Sequence, residues 1–294
     1  MQLGDPSDAK PDTNNHEHYL IQRQVFALDY DDKNGEPNWV SWDLTADDMG
    51  PAKRSPAFHP DNELPATFHH ITSADYKGSG FDRGHMCPSA DRTDNAQDNE
   101  AVFTMANIIP QTPDNNQGVW ERLEAECRDL ARQGNELLII SGPASFTGQH
   151  INQSGPVMVP AHTWKIVVVV PNGDGPVLNR INPTTRVIAV DIPNIAGVRH
   201  DSWTKYLVSV NQIEQLTGLR FFTALAPDLA AVLKAKVDGH ASETVVYAKA
   251  ASQPNSTAGT QQTLLIPLAI VVLIILLVLC VGILIVFFKT RPNR

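Results

Sequence analysis

The chain has 294 residues, 42% of them apolar, with 21 Pro and 18 Gly, a globular composition that excludes a disordered or fibrous protein for most of its length. Lys plus Arg less Asp plus Glu is 23 − 32 = −9, and Lys289, Arg291 and Arg294 sit in the last six positions, so everything before them carries 20 − 32 = −12. Bulk charge therefore cannot hold nucleic acid, which would need a local basic groove or a bound cation, and the three cysteines, Cys87, Cys127 and Cys280, exclude a disulfide scaffold and a four-cysteine zinc site.

In chain order, Met1 to His18 is a polar leader with no apolar stretch of a secretory signal. Tyr19 to Tyr30 alternates, with Leu20, Phe26, Leu28 and Tyr30 on one parity, and the turn Asp31 to Asn38 leads to Trp39–Leu44, so a hairpin is predicted. Aligning Gly35 with the glycine of a calcium loop puts Tyr30 at the first ligand position and Ser41 at the last, which rules that loop out. Asn116 to Gln133 is the clearest helix, with Asp114 as N-cap, Gln117 three residues on and Gly134 closing it. Glu136 to Ser141, Trp164 to Val170 and Val187 to Ile192 are short β-branched runs and read as buried strands. Ser209, Gln212 and Gly218 frame a second helix, and Asp228 to Val237 is a third. Strands and helices do not alternate regularly, so residues 19–248 are expected to form one mixed α+β domain.

Residues 249–263 form a small, polar linker. Leu264 to Phe288 has no formal charge and, at about 1.5 Å per residue, is long enough for a hydrocarbon core of about 30 Å, so a transmembrane helix is expected there. The basic tail 289–294 favours a cytoplasmic C-terminus and an extracytoplasmic main domain. The polar leader opposes that topology and leaves a tail-anchored cytosolic domain as the alternative.

The chemistry concentrates in Gly80-Phe81-Asp82-Arg83-Gly84-His85, followed by Asn107, Pro110-Gln111, Asn116 and the stretch from Trp120 to Arg128. A histidine beside an arginine and a glycine, in a loop that lets a phosphate approach, suits a general base acting on a charged substrate. On a continuous helix Asn116, Trp120 and Glu124 would form one i, i+4, i+8 ridge with Arg128 one turn further on. Such hard oxygen donors suit a hydrated magnesium ion. Asn115 beside Asn116 leaves a one-residue ambiguity in the ligand. Lys53, Arg54, Lys77, Arg83, Arg92, Arg122 and Arg128 are the cations available for one groove. His59, His69 and His70 with Cys87 show no metal-ligand spacing.

The strings DRGHMCPSADR and NIIPQTPDNNQGVWERLE resemble the DNA/RNA non-specific endonuclease family with the ββα-metal (His-Me finger) site. The resemblance runs from Tyr19 to about Asp238. It implies a central, mostly antiparallel sheet flanked by helices, and metal-dependent hydrolysis of DNA and RNA that leaves 5′-phosphate ends. It also implies that His85 deprotonates the attacking water, Asn116 ligates Mg²⁺ directly (with Mn²⁺ as a substitute), and Glu124 holds a metal-bound water. By the same resemblance Arg83, Arg128 and Arg54 bind the phosphate and Asn107 supports the substrate site. The membrane segment is no part of that family's catalytic domain. A non-catalytic, membrane-tethered binding module and a hydrolase of smaller phosphodiesters are the alternatives. Cys87 lies two residues after His85, and Cys127 lies beside Arg128, so the pair is either a disulfide or two buried thiols.

Overall fold

Each apolar run carries two faces of alternating parity, and the structure buries both. The computed structural model describes residues 1–55, 57–152 and 155–239. Its main sheet is antiparallel throughout, with strands β1 (Tyr19–Gln22), β2 (Ala27–Asp31), β3 (Glu36–Leu44), β6 (Asn135–His150), β7 (Met158–Pro171) and β8 (Arg186–Pro193) side by side in the order β1-β2-β3-β6-β7-β8. Two short strands outside it, β4 (Asp82–His85) and β5 (Ile108–Gln111), pair antiparallel with His85 opposite Ile108 and Asp82 opposite Gln111.

Leu137, Ile139, Val167, Val169, Ile188 and Val190 face one core, together with Leu123, Cys127, Leu130 and Ala131 of helix α2 (Glu121–Arg132). Leu138, Ile140, Ile166, Val168, Val187 and Ala189 face the other, under α4 (Val210–Thr217) and α5 (Pro227–Lys234). Successive side chains of a strand point to opposite faces, so a sheet covered on both sides reads as a continuous apolar run. Burying each such side chain contributes about 1.5–3 kcal/mol. Two short helices, α1 (Ala96–Ala101) and α3 (Val177–Arg180), lie in the connections.

Three expectations change, and one open alternative is resolved. Tyr19 to Tyr30 is two paired strands rather than one, because the chain reverses between Gln22 and Ala27, where Arg23 N–H donates to Phe26 O at 2.9 Å. Residues 1–18 are not a separate leader: Leu3 is buried, Leu20 N–H donates to Lys10 O, and Ser7 Oγ donates to Asp29 while accepting from Trp39 Nε1. Cys87 and Cys127 are free, buried thiols, and burial pushes both up to about 12. The Asn116–Gln133 helix is broken. Residues 115–120 form a wide π-type turn kinked at Gly118 (φ −125°, ψ −105°), and the regular helix starts only at Glu121. Asp114 caps nothing there, because its carboxylate takes Arg199 at 2.9 Å and the N–H of Gly197 at 2.7 Å.

Ser209 and Gln212 do form the reciprocal cap, and Gly218 ends α4 in the left-handed conformation. Among the described residues no helix is long and apolar enough to cross a membrane, and the segment Leu264 to Phe288 lies outside them.

Candidate active site

Glycines set the approach of the three elements that build the site. A Cβ on Gly84 would lie 1.9 Å from Gln111 Oε1, so β4 can lie against the Gln111 side chain only with glycine there. A Cβ on Gly118 would lie 2.6 Å from Arg199 O, so the kink seats the 115–120 turn directly on the backbone of the loop after β8. The kink also breaks the expected ridge, and Asn116 reaches the site from the turn rather than from the face of α2.

Asn115 and Asn116 point to different places. Asn115 is fully buried, accepting from Gln111 Nε2 at 2.7 Å and donating to Thr163 Oγ1 and Pro193 O. Asn116 lines a cleft of about 570 Å³ together with Arg54, Phe58, Lys77, Asp82 and Arg83. Its Nδ2 donates to Asp82 Oδ2 at 2.8 Å, and Gln117 Nε2 donates to the same oxygen at 2.7 Å. A carboxylate can only accept, which fixes the amide and leaves Asn116 Oδ1 without a protein partner among the described residues.

His85 sits behind the cleft in an aromatic cage. Its ring meets Phe103 edge-on at 4.8 Å and Phe58 at 5.1 Å. The same two rings carry the arginines, with the Arg54 guanidinium 4.7 Å from the Phe103 centroid and that of Arg83 4.7 Å from Phe58. Burial, aided by the nearby Arg54 charge, pushes His85 down to about 3, so the imidazole is neutral at physiological pH. Its Nε2 is buried with no hydrogen-bond partner.

Glu124 on α2 keeps 12% of its side chain exposed, and desolvation pushes it up to about 7 against the opposing pull of Lys165, whose Nζ lies 3.7 Å away. Lys165 is 1% exposed and is caged by the rings of Trp120 at 4.3 Å and Trp42 at 5.3 Å. Glu124 in turn acts electrostatically on Arg54, whose own pKa is lowered chiefly by burial. Arg128 does not line the cleft. It pairs with buried Asp91 at 3.3 Å and with Glu121 at 3.8 Å, and Asp91 also accepts from Trp42 Nε1. Asn107 is fully buried and faces no substrate space: it accepts from Cys87 N–H and donates to Cys87 O and Val102 O, clamping the chain beyond His85. Arg92 and Arg122 leave the expected groove for backbone carbonyls, Arg92 on Val25 and Asp43, Arg122 on Arg199 and Asp201.

Sequence reasoning passed over Phe58, Phe103, Asp91 and Lys165. Lys165 had a signal, as the single charge in the run Trp164 to Val170. Phe58 and Phe103 had none, being ordinary apolar residues far from the motif.

Among the described residues no three His, Cys, Asp or Glu side chains gather to cage a metal ion. The free amide oxygen of Asn116 and the carboxylate of Glu124 are hard donors, and they fit a magnesium ion that keeps most of its water.

The family model for DNA/RNA non-specific endonucleases matches residues 5–228. A nuclease of Nostoc sp. is 45% identical over 238 residues, covering 81% of this chain and 85% of that protein. The human mitochondrial nuclease EXOG is 32% identical over 215 residues, 68% of this chain and 55% of that protein, so the chain spans little more than half its length. The crystal structure of the EndoG/EndoGI complex has the same fold, with a TM-score of 0.63 at 23% identity over 77% of this chain and 91% of the matched one. With motif, fold and match in agreement, the chain belongs to the DNA/RNA non-specific endonuclease family and is a hydrolase of phosphodiester bonds.

Proposed function

We propose that the cleft hydrolyses DNA and RNA by a metal-assisted, single-displacement reaction with little sequence preference, leaving 5′-phosphate ends. One observation carries this reading. Arg54 and Arg83 line the cleft and form an ion pair with no carboxylate among the described residues, whereas Arg23, Arg92, Arg128, Arg180, Arg186 and Arg199 all do. In a chain of net charge −9, cations left uncompensated at one place are a site for an anion.

Arg83 and Arg54 hold the non-bridging oxygens of the phosphodiester, oriented by the aromatic faces beneath them. These contacts read backbone rather than bases. His85, neutral because it is buried, accepts a proton from the attacking water. The bound phosphate offsets the Arg54 charge, and the basicity of His85 rises when substrate is present. Water adds to phosphorus and the bond to the 3′ oxygen breaks. Asn116 through Oδ1 and Glu124 through water are the residues that would hold Mg²⁺, or Mn²⁺ in its place. When bound, the ion stabilises charge on the phosphate and on the leaving oxygen.

Supercoiled plasmid incubated with the full chain and magnesium is expected to become nicked and then linear, and EDTA to prevent both. Plasmid intact in magnesium overturns the proposal. Products that ligate only after kinase treatment would overturn the 5′-phosphate assignment.

The uncharged run Leu264 to Phe288 and the basic residues after it support a membrane tether with the nuclease domain outside the cytoplasm. Protease added to intact cells or sealed vesicles is expected to digest the domain and spare a fragment containing residues 264–294. Full protection until permeabilisation would assign the domain to the cytosol.

A further inference from the structure

Lys77 lines the cleft but belongs to neither the cage around His85 nor the Asn116 turn. It sits on a segment held firmly from behind. Thr72 and Asp75 close a reciprocal turn, with Thr72 N–H and Oγ1 both donating to Asp75 Oδ2 at 2.8 Å. Asn152 Nδ2 donates to Asp75 O, and Tyr76 is buried against Ile71, Ile151 and Val157. Lys77 N–H donates to Ala74 O at 3.1 Å, and Ser79 Oγ donates to Tyr76 O at 2.8 Å. The two carboxylates that flank Lys77 in sequence are committed elsewhere, Asp75 to Thr72 and Asp82 to Asn116 and Gln117. Gly78 (φ +77°) and Gly80 (φ +84°) have nothing within 4 Å of where a Cβ would stand, so the rim there is bare backbone facing open space. Phe81 is half-buried on the same small core as Tyr76 and lines the cleft. The cleft of about 570 Å³ is the size of a small-ligand pocket, more than one phosphodiester group fills.

We propose that Lys77 and Phe81 form a second nucleotide subsite, in which Nζ holds a phosphate flanking the scissile one and the Phe81 ring carries the attached sugar and base. The inference rests on the nuclease reading above and deepens it. A lone ammonium contributes a point charge without base readout, and an aromatic face accepts any base, so the subsite adds affinity for longer chains and no sequence preference.

The test uses the full chain in magnesium and two tetranucleotides. In one, all linkages are charged; in the other, only the central linkage is a phosphodiester and its neighbours are neutral methylphosphonates. Wild type is expected to cleave the central linkage of the charged substrate with about tenfold higher kcat/KM, an ordinary worth for one charge-assisted contact. Lys77→Gln should remove most of that preference by raising KM, leave kcat and the neutral-flank substrate unchanged, and lower the salt slope by about 0.7. Phe81→Leu should raise KM on both substrates at unchanged kcat. An equal loss on both substrates from Lys77→Gln, or a preference that survives it, overturns the subsite. Wild type that nicks plasmid but shows no preference for the charged tetranucleotide, or cleaves neither tetranucleotide, overturns the subsite alone, whereas wild type that leaves plasmid intact overturns the nuclease reading and the subsite with it.

Discussion

Asp82 Oδ2 accepts the Nδ2 of Asn116 at 2.8 Å, and this bond joins the first residue of the histidine-bearing strand to the turn that precedes α2. Through it the amide oxygen of Asn116 is left unpaired in the cleft while Asn115, one residue earlier, spends its amide on buried partners. Asn116→Ala is therefore expected to abolish magnesium-dependent cleavage with little change in Tm. Asn115→Ala should lower Tm, because buried donors and acceptors lose partners at about 1–3 kcal/mol, and should cleave near the native rate when folded. Kinetics and thermal melts of the two variants check this, and the reverse pattern would move the metal ligand by one residue.

His85→Ala should lower kcat by about 10²–10⁴-fold, the usual contribution of a general base. The same substitution leaves the Phe58–Phe103 contact, with centroids 5.0 Å apart, and both stacked arginines in place. KM should change little. Single-turnover kinetics separates the two quantities, and a loss of less than tenfold in kcat would place the base elsewhere.

Glu124 makes stability depend on pH. Its pKa is raised by burial from 4.5 to about 7, so the folded state favours the protonated acid. The stability it contributes is fully present below about pH 4.5 and is lost as pH rises through about 7, on the order of 2–3 kcal/mol across that window. In EDTA, denaturant melts of wild type should show a steeper fall than those of Glu124→Gln, in which the other raised carboxyls, Asp31 among them at about 6, remain. An identical slope in the two proteins would assign the pH dependence to other groups.

Gly118 is buried, and Gly118→Ala should be damaging. The added methyl meets backbone atoms of Arg199, which cannot rotate away as a side chain would. The turn carrying Asn116 must shift, so activity is expected to fall about tenfold or more and stability by about 1–3 kcal/mol. A Gly118→Ala protein with native rate and Tm would show that the loop after β8 yields.

Much of the molecule can be read from local pattern. The runs 136–141, 164–170 and 187–192 are strands because their β-branched residues suit a sheet buried on both faces. Ser209 caps α4 because Gln212 lies at the reciprocal distance along the chain. The family itself is visible in DRGH and the residues after it. These features depend on neighbours in sequence. The kink at Gly118 is different: residues 114–133 read as one capped helix until Arg199, some eighty positions away, claims Asp114 and occupies the space beside Gly118.

The fate of the arginines was likewise decided by the tertiary structure. Arg54, Arg83, Arg92, Arg122 and Arg128 are alike as letters near the motif. Arg128 is neutralised by Asp91 across 37 residues, Arg92 reaches the carbonyl of Val25 across 67, and Arg122 that of Arg199 across 77. Arg54 and Arg83 reach the cleft because Phe103 and Phe58 lie beneath them. Sequence by itself determined the strand runs, through local propensity, and the family, through the resemblance carried by DRGH and the residues after it, whereas the pairing that makes Asp82–His85 a strand came only with the fold. Which cations stay free for phosphate, and which of two adjacent asparagines faces it, depended on contacts between distant segments that only the packed chain brings together.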